Sequence, residues 1–134
     1  MIVVDTNIIG YLYLTSDHSL HAEQALRKDP VWAAPLLWRS EFRNVLAFYI
    51  RKNLLGLTEA QHIMEEALSL MQGHEYEIAS HQILRLVSSS TCSAYDCEFV
   101  ALASDLGLPL VTVDKQLIRL FPDVAISLEK FVSK

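Results

Sequence analysis

Four carboxylates separate themselves from the rest of a 134-residue chain: Asp5, Glu41, Asp96 and Asp114. Glu41 is the most informative. Leu37, Val45 and Phe48 lie four before, four after and seven after it, so helical geometry places a carboxylate inside an apolar stripe. An ionised carboxyl on such a face is costly enough that it protonates, pairs or binds a cation. Asn44 shares the face but cannot neutralise charge. Asp96 repeats the pattern, with Phe99, Val100 and Ala103 following at three, four and seven residues. Each acid also has a plainer reading. Asp96 suits a first helical turn, where capping and the helix dipole favour aspartate, and Glu41 suits an internal ion pair with arginine. Asp5 and Asp114 close the apolar runs Ile2–Val4 and Leu110–Val113, positions where aspartate is also common as a cap or turn residue.

Convergence would change the meaning of all four. If two strand ends and two inward helix faces meet at one edge of a sheet, four acids share a small volume with no lysine or arginine between them. Such a cluster repels itself unless cations intervene. Oxygen-only ligation selects Mg²⁺ or Mn²⁺ over zinc, and an ion so held supports hydrolysis of phosphodiesters by activating water and stabilising charge on phosphorus. Other candidates are weaker. His18 and His21 are three apart without a third ligand, and Cys92 and Cys97 have no second pair to complete a zinc site, so two reduced thiols are expected. No Gly-rich phosphate loop, HExxH helix or GxSxG elbow occurs.

The elements that must position these residues alternate. The sequence predicts a strand at 2–4, a helix from Asp5-Thr6-Asn7 to Leu14, a helix over 18–28, a strand over 31–35 and a helix over 37–52. Gly56 and Leu57 make a bend, and a capping box at Thr58–Gln61 opens a helix closed by Gly73. There follow a short strand over 76–79, a helix over 81–87, a polar loop over 88–93, a helix over 95–106, a strand over 110–113, a helix over 115–121 and a last strand over 124–126. Strands separated by helical crossovers define an α/β fold, three layers α/β/α around a mainly parallel four- to five-stranded sheet, with ligands expected at the carboxyl ends of the strands. The length suits a single domain over 1–134, and 51% hydrophobic residues argue for a packed core throughout. A net charge of −5 is the wrong sign for holding nucleic acid over an extended basic surface, though it leaves room for a local contact through bound cations. No apolar run approaches the roughly 18 residues of a membrane helix and the amino terminus lacks a signal peptide's pattern, so a cytoplasmic protein with no membrane association is expected.

Taken together, Val3-Val-Asp-Thr-Asn7, Glu41 early in the third helix, Tyr95-Asp96 followed by Phe99-Val-Ala-Leu-Ala103, and Leu110-Val-Thr-Val-Asp114 resemble the PIN-domain family over almost the whole chain. Within it the chain looks most like the VapC-type toxins of type II toxin–antitoxin pairs. The resemblance implies that Asp5, Glu41, Asp96 and Asp114 form an acidic quartet, with Asp5 and Asp96 as direct ligands of Mg²⁺ or Mn²⁺ and the other two completing the shell. Thr6, Asn7 and Thr112 match positions that orient such ligands. Glu98 lies beside the quartet without an assigned role. Arg39 and Arg43, on roughly the opposite side of their helix from Glu41, are left to solvent, RNA phosphate or a neighbouring carboxylate. The implied activity is that of a metal-dependent endoribonuclease acting on an RNA substrate, and the implied partners are a second copy forming a homodimer and a small antitoxin. The expected partner surface is the helical hairpin over 36–71, with Trp38, Phe42, Tyr49, Leu54 and Leu55. Two alternatives stay open: a catalytically silent PIN-like binding module, and an Mg²⁺-dependent phosphoacceptor signalling domain. Against the latter, Asp5 has no adjacent acid and no lysine ends a late strand.

Overall fold

Short, mostly apolar runs such as Ile2–Val4, Trp32–Pro35 and Leu110–Thr112 become buried strands, and the longer periodic segments become helices. The computed structural model describes residues 1–133, so the final residue of the expected 1–134 domain lies outside the described residues. In chain order the elements are β1 (Ile2–Val4), α1 (Thr6–Tyr13), α2 (Ser19–Lys28), β2 (Trp32–Pro35), α3 (Leu37–Arg51), α4 (Leu57–Met71) and β3 (Glu75–Tyr76). They continue with α5 (Ser80–Ser88), α6 (Ala94–Leu106), β4 (Leu110–Thr112), α7 (Lys115–Leu120), β5 (Ala125–Ser127) and α8 (Leu128–Ser133).

The strands form one five-stranded sheet in the order β3-β2-β1-β4-β5, and every pair is parallel. Each residue of β1, β2 and β4 is buried, which is what a parallel sheet flanked by helices requires. The helix α6 packs on β1, β2 and β4, while α8 covers β4 and β5. The chain builds outward from β1 to β2 to β3, then returns to lay β4 on the other side of β1. Strand order therefore reverses between β1 and β4, and a crevice opens beyond their carboxyl ends.

Five expectations need correction. The buried face of α3 is Trp38, Phe42 and Leu46, not the stripe that carries Glu41. Leu37 and Val45 are half-buried and Phe48 is 54% exposed, because the two large rings take the core and rotate the adjacent stripe to its margin. Trp38 and Phe42 are thus core residues and contribute nothing to an outer partner face. The N-cap of α4 is Gly56, whose N–H donates to Glu59 Oε1 at 3.2 Å, so the reciprocal contact lies two residues before the expected Thr58–Gln61 box. Finally, β3 is only Glu75–Tyr76, since β2 offers it just the partners Ala34 and Pro35, and α8 follows β5 where no helix was foreseen. No helix among the described residues is long and apolar enough to cross a membrane.

The contrast along α3 has a measurable consequence. Phe42→Ala empties a fully buried site and is expected to cost about 3–5 kcal/mol of stability, whereas Phe48→Ala is expected to cost under about 1 kcal/mol. Urea unfolding of the two variants beside the parent chain checks both figures.

Candidate active site

The register between the two central strands pairs Val3 with Leu110 and Val4 with Val111, and continuing it one step brings Asp5 beside Thr112. The Asp5 N–H donates to the Val111 carbonyl at 3.1 Å, and Thr112 Oγ1 donates to Asp5 Oδ2 at 2.8 Å. The same fully buried hydroxyl accepts the Asp114 N–H at 3.0 Å. Asp114 then caps α7, its Oδ1 accepting the N–H groups of Gln116 and Leu117 at 2.8 and 3.3 Å. Asp5 occupies the N-cap position of α1 without a side-chain capping bond, leaving its carboxylate to the crevice.

The two helical acids arrive from elsewhere. Glu41 Oε1 accepts a 2.6 Å hydrogen bond from Thr6 Oγ1, a buried hydroxyl in the first turn of α1. Asp96 does stand in the first turn of α6, as its plainer reading has it, but the cap is Ser93, whose hydroxyl accepts the Asp96 N–H at 3.1 Å, so the Asp96 carboxylate is not spent on capping. An arginine partner for Glu41 is likewise absent, since none of the ion pairs among the described residues involves any of the four acids.

Asp5, Glu41, Asp96 and Asp114 line a single cleft of about 270 Å³, together with Thr6, Asn7, Asn44 and Val45. Burial pushes the Asp5 carboxyl above its ordinary range, against the hydrogen bond from Thr112 and the pull of the nearby Asn7 backbone, and the charges of Asp96 and Asp114 push it further. Burial also raises Glu41, offset by Thr6 and reinforced by Asp5, Asp96 and Glu98. Asp96 rises through burial and then through Asp114. Glu98, itself raised by burial, does not line the cleft but adds to its negative field. The cleft therefore holds carboxylates that resist ionising together, and no cation among the described residues pairs with them.

Such a donor set suits a hard divalent cation in chemistry, being all oxygen. The spacing is looser than the chemistry. Among the described residues no three His, Cys, Asp or Glu side chains are gathered closely enough to hold a metal ion. The acids share the cleft without converging on one point, each steadied by a hydroxyl or a helix N-terminus.

Both arginines lie away from this centre. Arg39 Nε and Nη2 donate to the two carboxylate oxygens of Glu75, each at 2.6 Å, and the buried Trp38 indole donates to Glu75 Oε2 at 2.7 Å. Of the three destinations considered for Arg39, the neighbouring carboxylate is the one occupied. Arg43 is exposed, donates to Ser40 Oγ at 3.1 Å and borders a groove against α4. Sequence reasoning missed Glu75, which fastens the first turn of α3 to the sheet edge. The available signal was the Trp38 indole, because a buried N–H needs an acceptor. Cys92 and Cys97 are free and buried.

This fold has known counterparts. The PIN domain profile matches residues 2–121, and the chain belongs to the PIN-domain family. Among individual proteins, Ribonuclease VapC3 of Pyrobaculum aerophilum is 31% identical over 124 residues, covering 90% of this chain and 95% of that one. The crystal structure of PAE2754 from the same organism superposes with a TM-score of 0.78 at 22% identity, covering 98% of this chain and 93% of that one. A toxin-antitoxin complex from Klebsiella pneumoniae gives 0.70 at 20% identity, covering 96% and 98%.

The Glu75 clamp makes a prediction about pH. Its charged bonds to Arg39, followed in weight by the opposing cost of burial, hold the Glu75 carboxyl below its ordinary value. A carboxyl depressed in the folded state adds stability above its unfolded pKa and loses it as pH falls through the folded value. Glu75→Gln is therefore expected to be less stable than the parent chain near neutrality, with the gap closing on acidification below pH 4.5. Urea midpoints across a pH series measure that gap.

Proposed function

We propose that this chain is a metal-dependent endoribonuclease and the toxin of a toxin–antitoxin pair. One observation carries the reading: four carboxylates from four separate segments line one cleft at the reversal point of a PIN-domain sheet, with no cation among the described residues neutralising them. Its name-bearing support is the relative Ribonuclease VapC3, similar over nearly its full length.

Asp5, Asp96, Glu41 and Asp114 would hold Mg²⁺ or Mn²⁺. The chemistry such a cation supplies when bound is positive charge at the scissile phosphate and activation of water as the nucleophile. The residues of the chain have the remaining tasks. Thr112 fixes Asp5 and the Asp114 backbone relative to each other, and Thr6 fixes Glu41, so the oxygens facing the phosphate keep their places as charge develops. Asn7 and Asn44 border the cleft with neutral amides that can reach phosphate or ribose oxygens without adding to its charge.

The toxin reading also asks for an antitoxin, and the Klebsiella pneumoniae complex is support by likeness of fold. The surface offered to it is the hairpin of α3 and α4, where a groove of about 250 Å³ runs between Leu46, Ala47, Ile50, Leu57, Ala60 and Met64. Leu54 and Leu57 beside it are 64% and 63% exposed, an apolar face that suits a partner helix or a second copy in a homodimer. A cytoplasmic location belongs to the same proposal.

Purified protein is expected to cleave RNA with Mn²⁺ or Mg²⁺ and to stop when the cation is chelated. Asp5→Asn and Asp96→Asn are each expected to abolish turnover while leaving the fold intact by circular dichroism. Cleavage that survives both substitutions and chelation would remove the site assignment. Thr112→Val keeps the shape of the side chain but removes its hydroxyl, and the expected loss is about 10–100-fold in activity or in metal affinity.

A further inference from the structure

The acid cleft does not end at its carboxylates. Thr6, Asn7 and Val45 line it and also line a second cavity, of about 160 Å³, whose other walls include Tyr11, Leu14 and Tyr49. The two spaces are neighbours along α1, since Thr6 and Asn7 in its first turn line both and Gly10 and Tyr11 in its next turn line only the second. We propose that this second cavity is a nucleobase pocket, taking the base of a nucleotide that flanks the scissile phosphate. The proposal rests on the ribonuclease reading and adds to it the means by which substrate is held.

Size, lining and charge point the same way. Sites for drug-sized ligands run to roughly 300–1,000 Å³, so a cavity of 160 Å³ suits a single ring system. Two tyrosine rings with Leu14 and Val45 supply flat and aliphatic surface of the kind on which unstacked bases settle in single-stranded RNA. Among the described residues the Tyr11 and Tyr49 hydroxyls and the Asn7 carboxamide have no hydrogen-bond partner within the chain, so they remain able to read the edge of a base. The proximity to the acids is direct, since the Asp5 charge acts on Tyr11. Charge supplies the remaining reason. The cleft is acidic, Arg39 is bound to Glu75, and the chain carries a net −5, so phosphate attraction cannot supply much of the affinity for RNA. Stacking of a base is indifferent to that charge.

The test pairs substitutions in the pocket with removal of bases from the substrate. In an oligoribonucleotide carrying one abasic residue at successive positions, one position next to the cut is expected to raise KM about five- to a hundredfold. Tyr49→Leu is expected to raise KM on the intact substrate by a similar factor, to add nothing on that abasic substrate, and to leave kcat nearly unchanged; Tyr49→Phe, which keeps the ring but loses the hydroxyl, is expected to raise KM by less than Tyr49→Leu. If cleavage depends on Asp5 and Asp96 but the abasic and Tyr49 effects are absent or simply multiply, the pocket is overturned and the ribonuclease reading stands. Nucleosides without phosphate, titrated into the protein without metal, give a readout independent of turnover. Tyr11 and Tyr49 ring resonances that shift with at least one of adenosine, guanosine, cytidine and uridine, but not with ribose, support the pocket even if no RNA is cut. No shift with any of the four, or equal shifts with ribose, overturns it.

Discussion

The hydroxyl of Thr112 is the joint on which the acidic cleft depends. It donates to one carboxylate and accepts from the backbone of another acid, joining residues 109 positions apart in the sequence, Asp5 and Asp114. Only a group that both donates and accepts can do this, and only a parallel register between β1 and β4 brings it to the required place. Because Thr112 is fully buried, water cannot substitute for it, and without its hydroxyl Asp5 would stand buried with one donor fewer. The sheet's reversal between these same two strands is what makes their ends a crevice rather than a covered edge.

Collecting carboxylates in one place costs free energy, and the fold offsets that cost without cations. Three of the four acids stand at the start of a helix: Asp5 at the N-cap of α1, Asp96 in the first turn of α6 and Asp114 at the N-cap of α7. Each helix dipole there favours negative charge by typically 0.3–1 kcal/mol. Glu41, four residues into α3, lacks that advantage and has the Thr6 hydroxyl instead. An arginine would neutralise the cluster more completely, but its fixed charge would also occupy the space and compete for the carboxylates. Partial positive charge from helix ends and hydroxyls leaves the four acids gathered and the raised proton affinities of Asp5, Glu41 and Asp96 in place.

The legible part of this architecture is the part encoded locally. Runs such as Ile2–Val4 and Leu110–Thr112 announce strands by composition, and the acids that follow them are therefore placed correctly at strand ends. Glu41 was conspicuous as a charge in an apolar stripe, yet that stripe lies at the margin of the core. The signal was sound because even a half-buried carboxylate needs partners. What the sequence does not display is pairing across distance. Glu75 meets Trp38 and Arg39 from 37 and 36 residues away, out of a two-residue strand with almost no pattern of its own. That Ser93 and not Asp96 caps α6 is settled by a single side-chain contact, which periodicity cannot resolve.

Helix α3 concentrates these demands. Trp38, Phe42 and Leu46 fill the core, Glu41 faces the acids, Val45 and Tyr49 wall the neighbouring cavity, and Leu46, Ala47 and Ile50 border the groove against α4. A helix advances about 100° per residue, so Trp38, Phe42 and Leu46 form one ridge of a rigid rod and Glu41, Val45 and Tyr49 the ridge beside it, and neither can be displaced by rotation without displacing the other. The rod is held near its first turn by the Trp38 and Arg39 bonds to Glu75, and along its length by two buried rings. That anchoring explains why a strand as short as β3 belongs to the working part of the molecule. It supplies the fixed point from which Glu41, two residues beyond Arg39, is aimed into the cleft.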